Sequence, residues 1–304
     1  MQRPKLITIS GPTAIGKTSF SVELAKLLGC PILSSDARQF YKEMEIGTAV
    51  PTAEERQGVT HHFIQHKSIH KPYSVGDFEK DAVALLDTIF KSSDVAVLVG
   101  GSNLYTDAVV RRLDDFPDVP NDISLMWQKA YEAKGLTHLQ NELKRLDPAY
   151  YNVVDLQNHV RLLRALGVCT VSKKPYSSFL GQPKKERSFD VISIELTMPR
   201  EELYERINAR VDTMVAKGLV EEAKELLPYK ELNALQTVGY RELFPYFDGE
   251  VSLMECVDNI KKNTRRFAKR QLTWLRNHPV KHKLPHNTAV SGGLLDVLGL
   301  KKTI

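Results

Sequence analysis

Short apolar runs alternate with segments of helical spacing through the first third of the chain. Three runs predict buried strands, at Lys5–Ser10, Pro31–Ser35 and Asp94–Val99. Residues 17–28 predict a helix that ends at Gly29, and residues 78–90 predict a crossover helix before the third strand. Because strand, helix and strand in this order favour parallel pairing, the sequence predicts an α/β fold on a parallel sheet.

The pattern changes at residues 113–120, where prolines and aspartates concentrate. Helical spacing then continues to about residue 170, a polar linker covers 173–188, and 191–196 again predict a strand. We therefore expect a helical insertion within an α/β domain. The expected segments are a first part of the core at 1–115, the insertion at 116–189, the rest of the core with basic helices at 190–286, and a tail at 287–304.

Two further helices are predicted at 201–227 and 257–276, and the second is strongly basic. Nine lysines and arginines lie between residues 257 and 283, where Asp258 is the one acidic residue. Ile260, Phe267 and Gln271 belong to a stripe on one face, and most of the cations lie on the other. The basic face suits a nucleic-acid backbone, and a membrane surface or a partner helix is the alternative. A merely solvated face would usually mix charges of both signs. Residues after Pro279 show no clear organisation.

Composition narrows the class of protein. Hydrophobic residues make up 42% and charged residues 26% of the chain, which excludes a disordered or collagen-like protein. No apolar run approaches the ~18 residues of a membrane helix, and we expect no membrane association. The three cysteines are widely spaced, which argues against a disulfide framework and indicates a reducing compartment. A net charge of +5 is weak evidence for an anionic partner.

The segment Gly11–Thr18, GPTAIGKT, fits the pattern G-x-x-x-x-G-K-[ST] between a predicted strand and a predicted helix. Glycines let backbone N–H groups converge on phosphate oxygens, and the helix N-terminus adds positive potential. Lys17 supplies a cation, and the Thr18 hydroxyl can bind Mg²⁺. The loop predicts a polyphosphate, either of a nucleotide such as ATP or of a diphosphate leaving group. The alternative is a glycine turn that caps a helix.

The strand at 94–99 ends without the acidic residue that usually holds the metal in phosphotransferases of this type, which disfavours ATP hydrolysis. Asp36 follows the second strand, at the sheet edge where ligands bind, and could act as a general base. Its alternative is an N-cap or Asx-turn aspartate. Arg206 and Arg210 share a helix face and could stabilise a departing diphosphate, or pair with Glu202 and nearby acids.

Four histidines cluster at positions 61, 62, 66 and 70. The last three are four residues apart and could imitate a metal-binding helix face. No cysteine lies close, and Pro72 and Tyr73 follow in loop-like sequence. We therefore disfavour a metal site there.

These motifs together resemble the tRNA dimethylallyltransferases, also called tRNA isopentenyltransferases. The resemblance rests on GPTAIGKT, SSDARQFYKEMEIGTAVP, HHF, LVGGSNLY, TVGYREL and KRQLTWLR, which run in this order from Ile9 to Arg276. It implies transfer of a dimethylallyl group from its diphosphate to N6 of adenosine-37 of tRNA, beside the anticodon, with release of diphosphate. It implies Mg²⁺ as cofactor, the anticodon stem-loop and dimethylallyl diphosphate as partners, and a cytoplasmic enzyme, which we expect to be a monomer.

The resemblance also assigns residues. Asp36, Arg210 and Ser102 match catalytic positions, and Thr18 matches the metal ligand. The diphosphate-binding positions are Gly11, Pro12, Thr13, Ala14, Ile15, Gly16, Lys17 and Thr18. The tRNA-binding positions are Asp36, Ala37, Arg38, Gln39, Ser102, Val160, Arg161, Leu162, Leu163, Arg164, Gln236, Thr237, Val238, Gly239, Tyr240, Arg241, Lys269, Arg270, Gln271, Leu272, Thr273, Trp274, Leu275 and Arg276.

Two single residues and one short segment depart from the family pattern. Ala37 stands where serine is common, Gly167 where glutamate is usual, and Gln65–Lys67 is basic where the family is often acidic. Two other functions fit parts of the sequence. A small-molecule or nucleotide kinase would use the same phosphate loop, and a non-enzymatic RNA-binding or membrane-surface module would use the basic helix.

Overall fold

Six parallel strands form the central sheet of the computed structural model, which describes residues 3–183 and 185–300. The strands are β1 Lys5–Ser10, β2 Ile32–Ser34, β3 His61–His62, β4 Val95–Val99, β5 Asp190–Thr197 and β6 His282–Pro285. Their order across the sheet is β3-β2-β4-β1-β5-β6, and every neighbouring pair is parallel. The predicted α/β class with a parallel sheet is therefore confirmed.

The chain divides into two compact units. The first consists of the residues up to Arg111 and those from Arg187 onward, and the second spans Arg112–Glu186. The helices of the first unit are α1 Lys17–Leu28, α2 Ala53–Arg56, α3 Val75–Ile89, α4 Asn103–Arg111, α8 Arg200–Ala216, α9 Leu219–Leu226, α10 Phe244–Phe247, α11 Leu253–Asn277 and α12 Gly292–Leu298. Those of the second unit are α5 Asn121–Leu146, α6 Pro148–Tyr151 and α7 His159–Ser172.

Both faces of the sheet are covered by helices, which explains why the central strands β2 and β4 are continuous apolar runs. Ile7 and Ile9 of β1 belong to a core that includes residues of α1, α8 and α12. Leu6 belongs to a second core on the opposite face, with residues of α3 and α4. Successive side chains of a strand point to opposite faces, so a single strand supplies both cores.

Glycines set several helix ends. Gly29 has φ +61° and stops α1, and its N–H donates to carbonyls of the last turn. The single helix predicted at 201–227 is two helices, because Gly218 with φ +102° separates α8 from α9. These left-handed conformations are readily adopted by glycine because it has no Cβ.

Regular elements form after Pro279 within the residues that the structure describes, so the expectation of no organisation there is wrong. Strand β6 pairs with β5, with Ile194 opposite His282. Leu294, Leu295 and Leu298 of α12 are buried in the core beside α1. Short elements such as these carry too few residues for a periodic signal, so only the tertiary contacts reveal them.

The second unit is helical, with its own apolar core around Trp127, Leu139 and Leu162. Asp147 is 1% exposed and accepts hydrogen bonds from the backbone of Tyr150 and from Ser177. Gly167 packs against Val119, since a Cβ at this position would lie 2.9 Å from Val119 Cγ1. That contact leaves little room for the larger residue usual in the family.

Among the described residues, no helix is both long and apolar enough to cross a membrane.

Candidate active site

The loop Gly11–Thr18 connects β1 to α1 at the carboxyl end of the sheet. Its backbone turns through positive φ angles at Ala14 (65°) and Gly16 (101°), and a Cβ at Gly11 would lie 3.2 Å from the Leu196 carbonyl of β5. Lys17 Nζ donates to the carbonyls of Gly11 (3.0 Å) and Pro12 (2.8 Å). The Lys17 side chain, at the first residue of α1, therefore folds back over the loop that precedes this helix.

The Lys17 ammonium group lies in a desolvated setting with a mixture of nearby charges. Desolvation lowers its pKa from 10.5 to about 8, while the carboxylate of Asp36 opposes this shift and the guanidinium of Arg210 adds to it. Lys17, Asp36 and Arg210 are therefore close enough for their charges to interact. An anion bound here would favour the charged lysine.

Asp36 lies directly after β2, and its two carboxylate oxygens have different surroundings. Oδ1 accepts a hydrogen bond from the N–H of Arg38 at 3.1 Å, so Asp36 does form an Asx-turn. Oδ2 lies 3.6 Å from the position that a Cβ on Gly101 would take. A cavity lined by Lys17, Thr18 and Asp36 opens beside this carboxylate. Asp36 can therefore form the Asx-turn through one oxygen and still have the other available to act as a general base.

The loop after β4 packs directly on the Asp36 segment. A Cβ on Gly100 would lie 2.3 Å from Ser35 Oγ and 2.7 Å from the Asp36 nitrogen, so only glycine fits there. Ser102 Oγ accepts a hydrogen bond from the Ala37 N–H at 3.0 Å. Where many phosphotransferases place an acid, this chain places a loop that supports the backbone around Asp36.

Arg210 projects from α8 towards the phosphate loop, with Nη1 3.5 Å from Thr13 Oγ1. Desolvation lowers its pKa, and the nearby carboxylates of Asp36 and Glu55 oppose that shift. Arg206, four residues earlier, has a guanidinium nitrogen 3.6 Å from where a Cβ of Gly16 would be. Glu202 Oε1 lies 3.1 Å from His286 Nε2, so the carboxylate contacts this histidine and not the two arginines. The α8 face with the arginines is therefore directed at the phosphate loop.

Gln39 is held by the protein itself in this structure. Its Nε2 donates to the carbonyls of Thr48 (3.2 Å) and Ala49 (3.0 Å), and its Oε1 accepts from Ser34 Oγ at 3.3 Å. Any contact of this side chain with RNA requires these bonds to be exchanged.

The other segments assigned to tRNA contain exposed and buried side chains. The exposed ones are Val160, Arg161, Arg164, Gln236, Arg241, Lys269, Arg270, Leu272, Thr273 and Arg276. The buried ones are Leu162, Tyr240, Gln271 and Leu275. Helical and turn geometry explains this division, because successive residues of a helix point to different sides. The fully buried side chains are therefore not available to an external ligand, whereas the exposed ones are.

The histidine segment is not helical, so the metal-binding helix face considered from the spacing is wrong. His61 and His62 form β3, while His66 lies among the rings of Phe40, Phe63 and Tyr73. The described residues contain no group of three His, Cys, Asp or Glu side chains that could hold a metal ion.

Two residues lie at this site in roles that the sequence did not predict: His61 was considered only as a metal ligand and Gln271 only as a tRNA contact. His61 lines the cavity beside Asp36 and donates from Nδ1 to the Val59 carbonyl at 2.8 Å. Its Nε2 is buried and has no hydrogen-bond partner among the described residues. Gln271 of α11 is 5% exposed and contacts the phosphate loop. The one available signal for Gln271 was an amide on the apolar face of a basic helix.

Comparison with known proteins shows that most of the chain is similar to members of one family. A family model described as IPP transferase matches residues 39–278. Over 274 residues the chain is 56% identical to the tRNA dimethylallyltransferase of Christiangramia forsetii, covering 90% of this chain and 91% of the relative. Over 279 residues it is 52% identical to that of Flavobacterium johnsoniae, covering 90% of each chain.

Solved structures show the same architecture. The tRNA isopentenylpyrophosphate transferase of Bacillus halodurans superposes with a TM-score of 0.71 at 36% identity, covering 98% of this chain and 95% of that one. A eukaryotic dimethylallyltransferase acting on tRNA has a TM-score of 0.85 at 23% identity, covering 99% of this chain and 81% of that one. The second likeness shows the fold alone.

The fold and these relatives define the protein as an enzyme of the transferase class. The chain belongs to the IPP transferase family, the family of the tRNA dimethylallyltransferases.

Proposed function

We propose that this enzyme transfers the dimethylallyl group of dimethylallyl diphosphate to N6 of adenosine-37 in tRNA and releases diphosphate. The observation that carries the proposal is the convergence of a phosphate-type loop, two cations and one carboxylate at the carboxyl edge of the sheet. Lys17 and Arg210 share an electrostatic environment with Asp36. The two cations can bind the departing diphosphate, and the neighbouring carboxylate can bind the amine that attacks.

The cations suit a departing diphosphate. Arg210 makes no ion pair within the described part of the chain, and Lys17 donates only to loop carbonyls. Both can turn their N–H groups to phosphate oxygens, together with the backbone amides of Gly11–Thr18. Charge that develops on the leaving diphosphate is stabilised by donors already in place, which is usually the largest single contribution to catalysis.

The cavity also suits Mg²⁺, which prefers oxygen ligands and usually keeps several waters. The Thr18 and Ser34 hydroxyls and the Asp36 carboxylate all line it. We propose Thr18 as the protein ligand, with diphosphate oxygens completing the coordination. When bound, the ion would neutralise charge on the diphosphate.

Asp36 is proposed as the general base. The lone pair of an adenine N6 is delocalised into the ring, so the amine is a poor nucleophile until a base accepts its proton. Asp36 Oδ2 is free of the Asx-turn bond that holds Oδ1, and the Asp36 side chain lines the cavity. It can accept one N6 proton as the new C–N bond forms and the C–O bond to diphosphate breaks.

The exposed tRNA-segment residues supply the proposed RNA contacts. Arg161, Arg164, Arg241, Lys269, Arg270 and Arg276 present cations to solvent. Phosphate contacts position a nucleic acid, and the target base must leave its stack to reach a pocket. An anticodon loop is already partly unstacked, which reduces the cost of that step.

The chain is further proposed to act as a monomer in the cytoplasm. Cys30, Cys169 and Cys256 are all free and buried, a pattern that fits a reducing compartment.

The decisive test is single-turnover transfer by Asp36→Asn, with labelled dimethylallyl diphosphate and tRNA. Asparagine keeps an oxygen for the Arg38 N–H, so the Asx-turn survives while the base is lost. We expect the rate to fall by about 10²–10⁴-fold. Affinity for pyrophosphate, measured by calorimetry, should stay within about threefold of wild type.

An unchanged transfer rate in Asp36→Asn would remove this residue as the base. Incubation of wild type with tRNA and ATP in place of the allylic diphosphate tests the kinase alternative. Phosphorylated product in that arm, and no prenylated adenosine in the other, would overturn the proposed function.

A further inference from the structure

Gln271 joins two loops that belong to different strands. Its Oε1 accepts a hydrogen bond from the backbone N–H of Thr13 at 2.9 Å. Its Nε2 donates to the carbonyl of Gly101 at 2.8 Å. Thr13 lies in the loop after β1 and Gly101 in the loop after β4, so one side chain of α11 spans both.

Each of these loops holds a different part of the proposed chemistry. Thr13 belongs to the diphosphate loop, and its Oγ1 lies 3.5 Å from Arg210 Nη1. Gly101 is next to Ser102, which holds the Ala37 N–H, and a Cβ on Gly101 would lie 3.6 Å from Asp36 Oδ2. The distance between the diphosphate loop and the Asp36 carboxylate therefore depends on the side chain that connects Thr13 to Gly101, which is Gln271.

The chemistry of this position requires an amide. A backbone N–H needs an acceptor and a backbone carbonyl needs a donor, and the glutamine amide supplies both from one planar group. These two partners also fix which end is oxygen and which is nitrogen. Gln271 is 5% exposed, so an apolar replacement would leave Thr13 N–H and Gly101 O without these partners in a water-poor site.

Gly101 is matched to this contact. A Cβ there would lie 2.8 Å from Gln271 Nε2, which is closer than real Cβ atoms approach. The glycine thus allows the amide to reach the carbonyl. We propose that Gln271 is a positioning residue that sets the distance between the diphosphate loop and Asp36. This role rests on the proposed function of that same site.

The proposed role separates transfer rate from tRNA affinity. Lys269 and Arg270 are exposed, whereas Gln271 points into the protein. A change at Gln271 should leave the outer face of α11 intact. Misplacement of reacting groups by about 1 Å can lower a rate by about 10²-fold. A purely structural defect of the helix would instead weaken tRNA binding as well.

The test uses Gln271→Met, which keeps the size and removes both hydrogen bonds. We expect the single-turnover rate to fall by between about 10- and 100-fold, with tRNA affinity within about twofold of wild type. Pyrophosphate affinity should fall by about fivefold, because the Thr13 end of the loop loses its tether. Gln57→Met, at an exposed glutamine beside α2, is the matched control and should retain wild-type values.

A double-mutant cycle asks whether Gln271 acts through Asp36. In the Asp36→Asn background the further effect of Gln271→Met on the residual rate should shrink to about threefold or less, because the two residues act as one unit. Full additivity would overturn the role in positioning Asp36. A rate within twofold of wild type in the single variant would overturn the proposal, as would a parallel loss of tRNA affinity.

Two provisions keep the test decisive. If Gln271→Met unfolds at a clearly lower temperature than wild type, Gln271→Asn is measured in its place, since its shorter amide remains polar but cannot reach both loops. The same changes in transfer rate, tRNA affinity and pyrophosphate affinity are then expected for Gln271→Asn. Pyrophosphate affinity can be read without any transfer reaction. Absence of product with wild type would therefore refute the proposed function, whereas unchanged pyrophosphate affinity in Gln271→Met would refute the positioning role.

Discussion

At the scale of single residues, the site depends on side chains whose two polar atoms serve different partners. Asp36 uses Oδ1 for the turn at Arg38, which leaves Oδ2 outside that hydrogen bond in a side chain that lines the cavity. Gln271 uses its oxygen for one loop and its nitrogen for another. A substitution that keeps the shape of such a residue can therefore remove one role and retain the other.

His66 provides a test of stability at this scale. Both ring nitrogens are buried and have no hydrogen-bond partner within the part of the chain that the structure describes, and Phe40, Phe63 and Tyr73 surround the ring. Desolvation, with Lys67 nearby, lowers its pKa from 6.5 to about 4, against the opposing charge of Asp81. As pH falls through that interval the unfolded chain binds a proton before the folded protein does. Stability should therefore decline from about pH 6.5 to about pH 4.

The measurement is urea unfolding across this pH interval for wild type and His66→Phe. The variant should show a shallower loss of stability on acidification, because the phenylalanine cannot be protonated. His70→Phe, at an exposed histidine, is the control and should follow wild type. Equal pH dependence in wild type and His66→Phe would contradict the prediction.

At the scale of elements, α9 holds the loop that restrains Gln39. Glu222 Oε2 accepts from the N–H groups of Glu45 (3.0 Å) and Ile46 (2.7 Å), and Oε1 accepts from Gly47 N–H (3.0 Å) and Tyr240 OH (2.6 Å). A carboxylate with four donors forms stronger bonds than a neutral acceptor. The loop continues directly into the carbonyls of Thr48 and Ala49 that bind Gln39.

Glu222→Gln replaces one of these acceptor oxygens by an NH₂ group, which faces donors instead of acceptors. We expect a loss of about 1–3 kcal/mol in the free energy of unfolding. Urea denaturation measures it, and Glu225→Gln on the exposed side of the same helix should change stability far less. Equal stability of the two variants would show that the loop is held by other contacts.

Helix α11 makes a separate prediction for RNA binding. Lys269→Ala with Arg270→Ala should weaken tRNA binding and reduce the slope of log affinity against log salt by about one per lost phosphate contact. The difference from wild type is then largest at low salt. Filter binding between about 50 and 200 mM salt tests this. Lys80→Ala with Lys91→Ala removes the same charge from two exposed lysines, one in α3 and one just after its end, and should keep the wild-type slope.

At the scale of the whole molecule, the C-terminal residues complete the core that carries the phosphate loop. Leu295 of α12 is 1% exposed and belongs to the core that contains α1 residues, whereas Val297 of the same helix is 66% exposed. We expect Leu295→Ala to cost about 2–5 kcal/mol. Val297→Ala should cost less than about 0.5 kcal/mol. Similar thermal stability of the two variants would contradict a structural role for α12.

The sequence by itself determined the elements that have a long run of apolar spacing or a glycine that marks their end. Strand β1, helix α1 and its end at Gly29 follow from local apolar spacing and a single left-handed residue. The positions of the Gly11–Thr18 loop and of Asp36 at strand ends were predictable because both come directly after apolar runs. Their roles towards diphosphate and tRNA stay predictions. Family membership followed from motifs in a fixed order, and the comparisons confirm it.

Only the tertiary structure decided which of these groups meet. Gln271 is 170 residues from Gly101 and 258 from Thr13, and Glu222 is 175 from Gly47. Strand β6 and helix α12 are too short for a periodic signal and are ordered by burial against distant elements. Local pattern reflects interactions along the chain, whereas hydrogen bonds and packing between distant segments exist only once the backbone has folded.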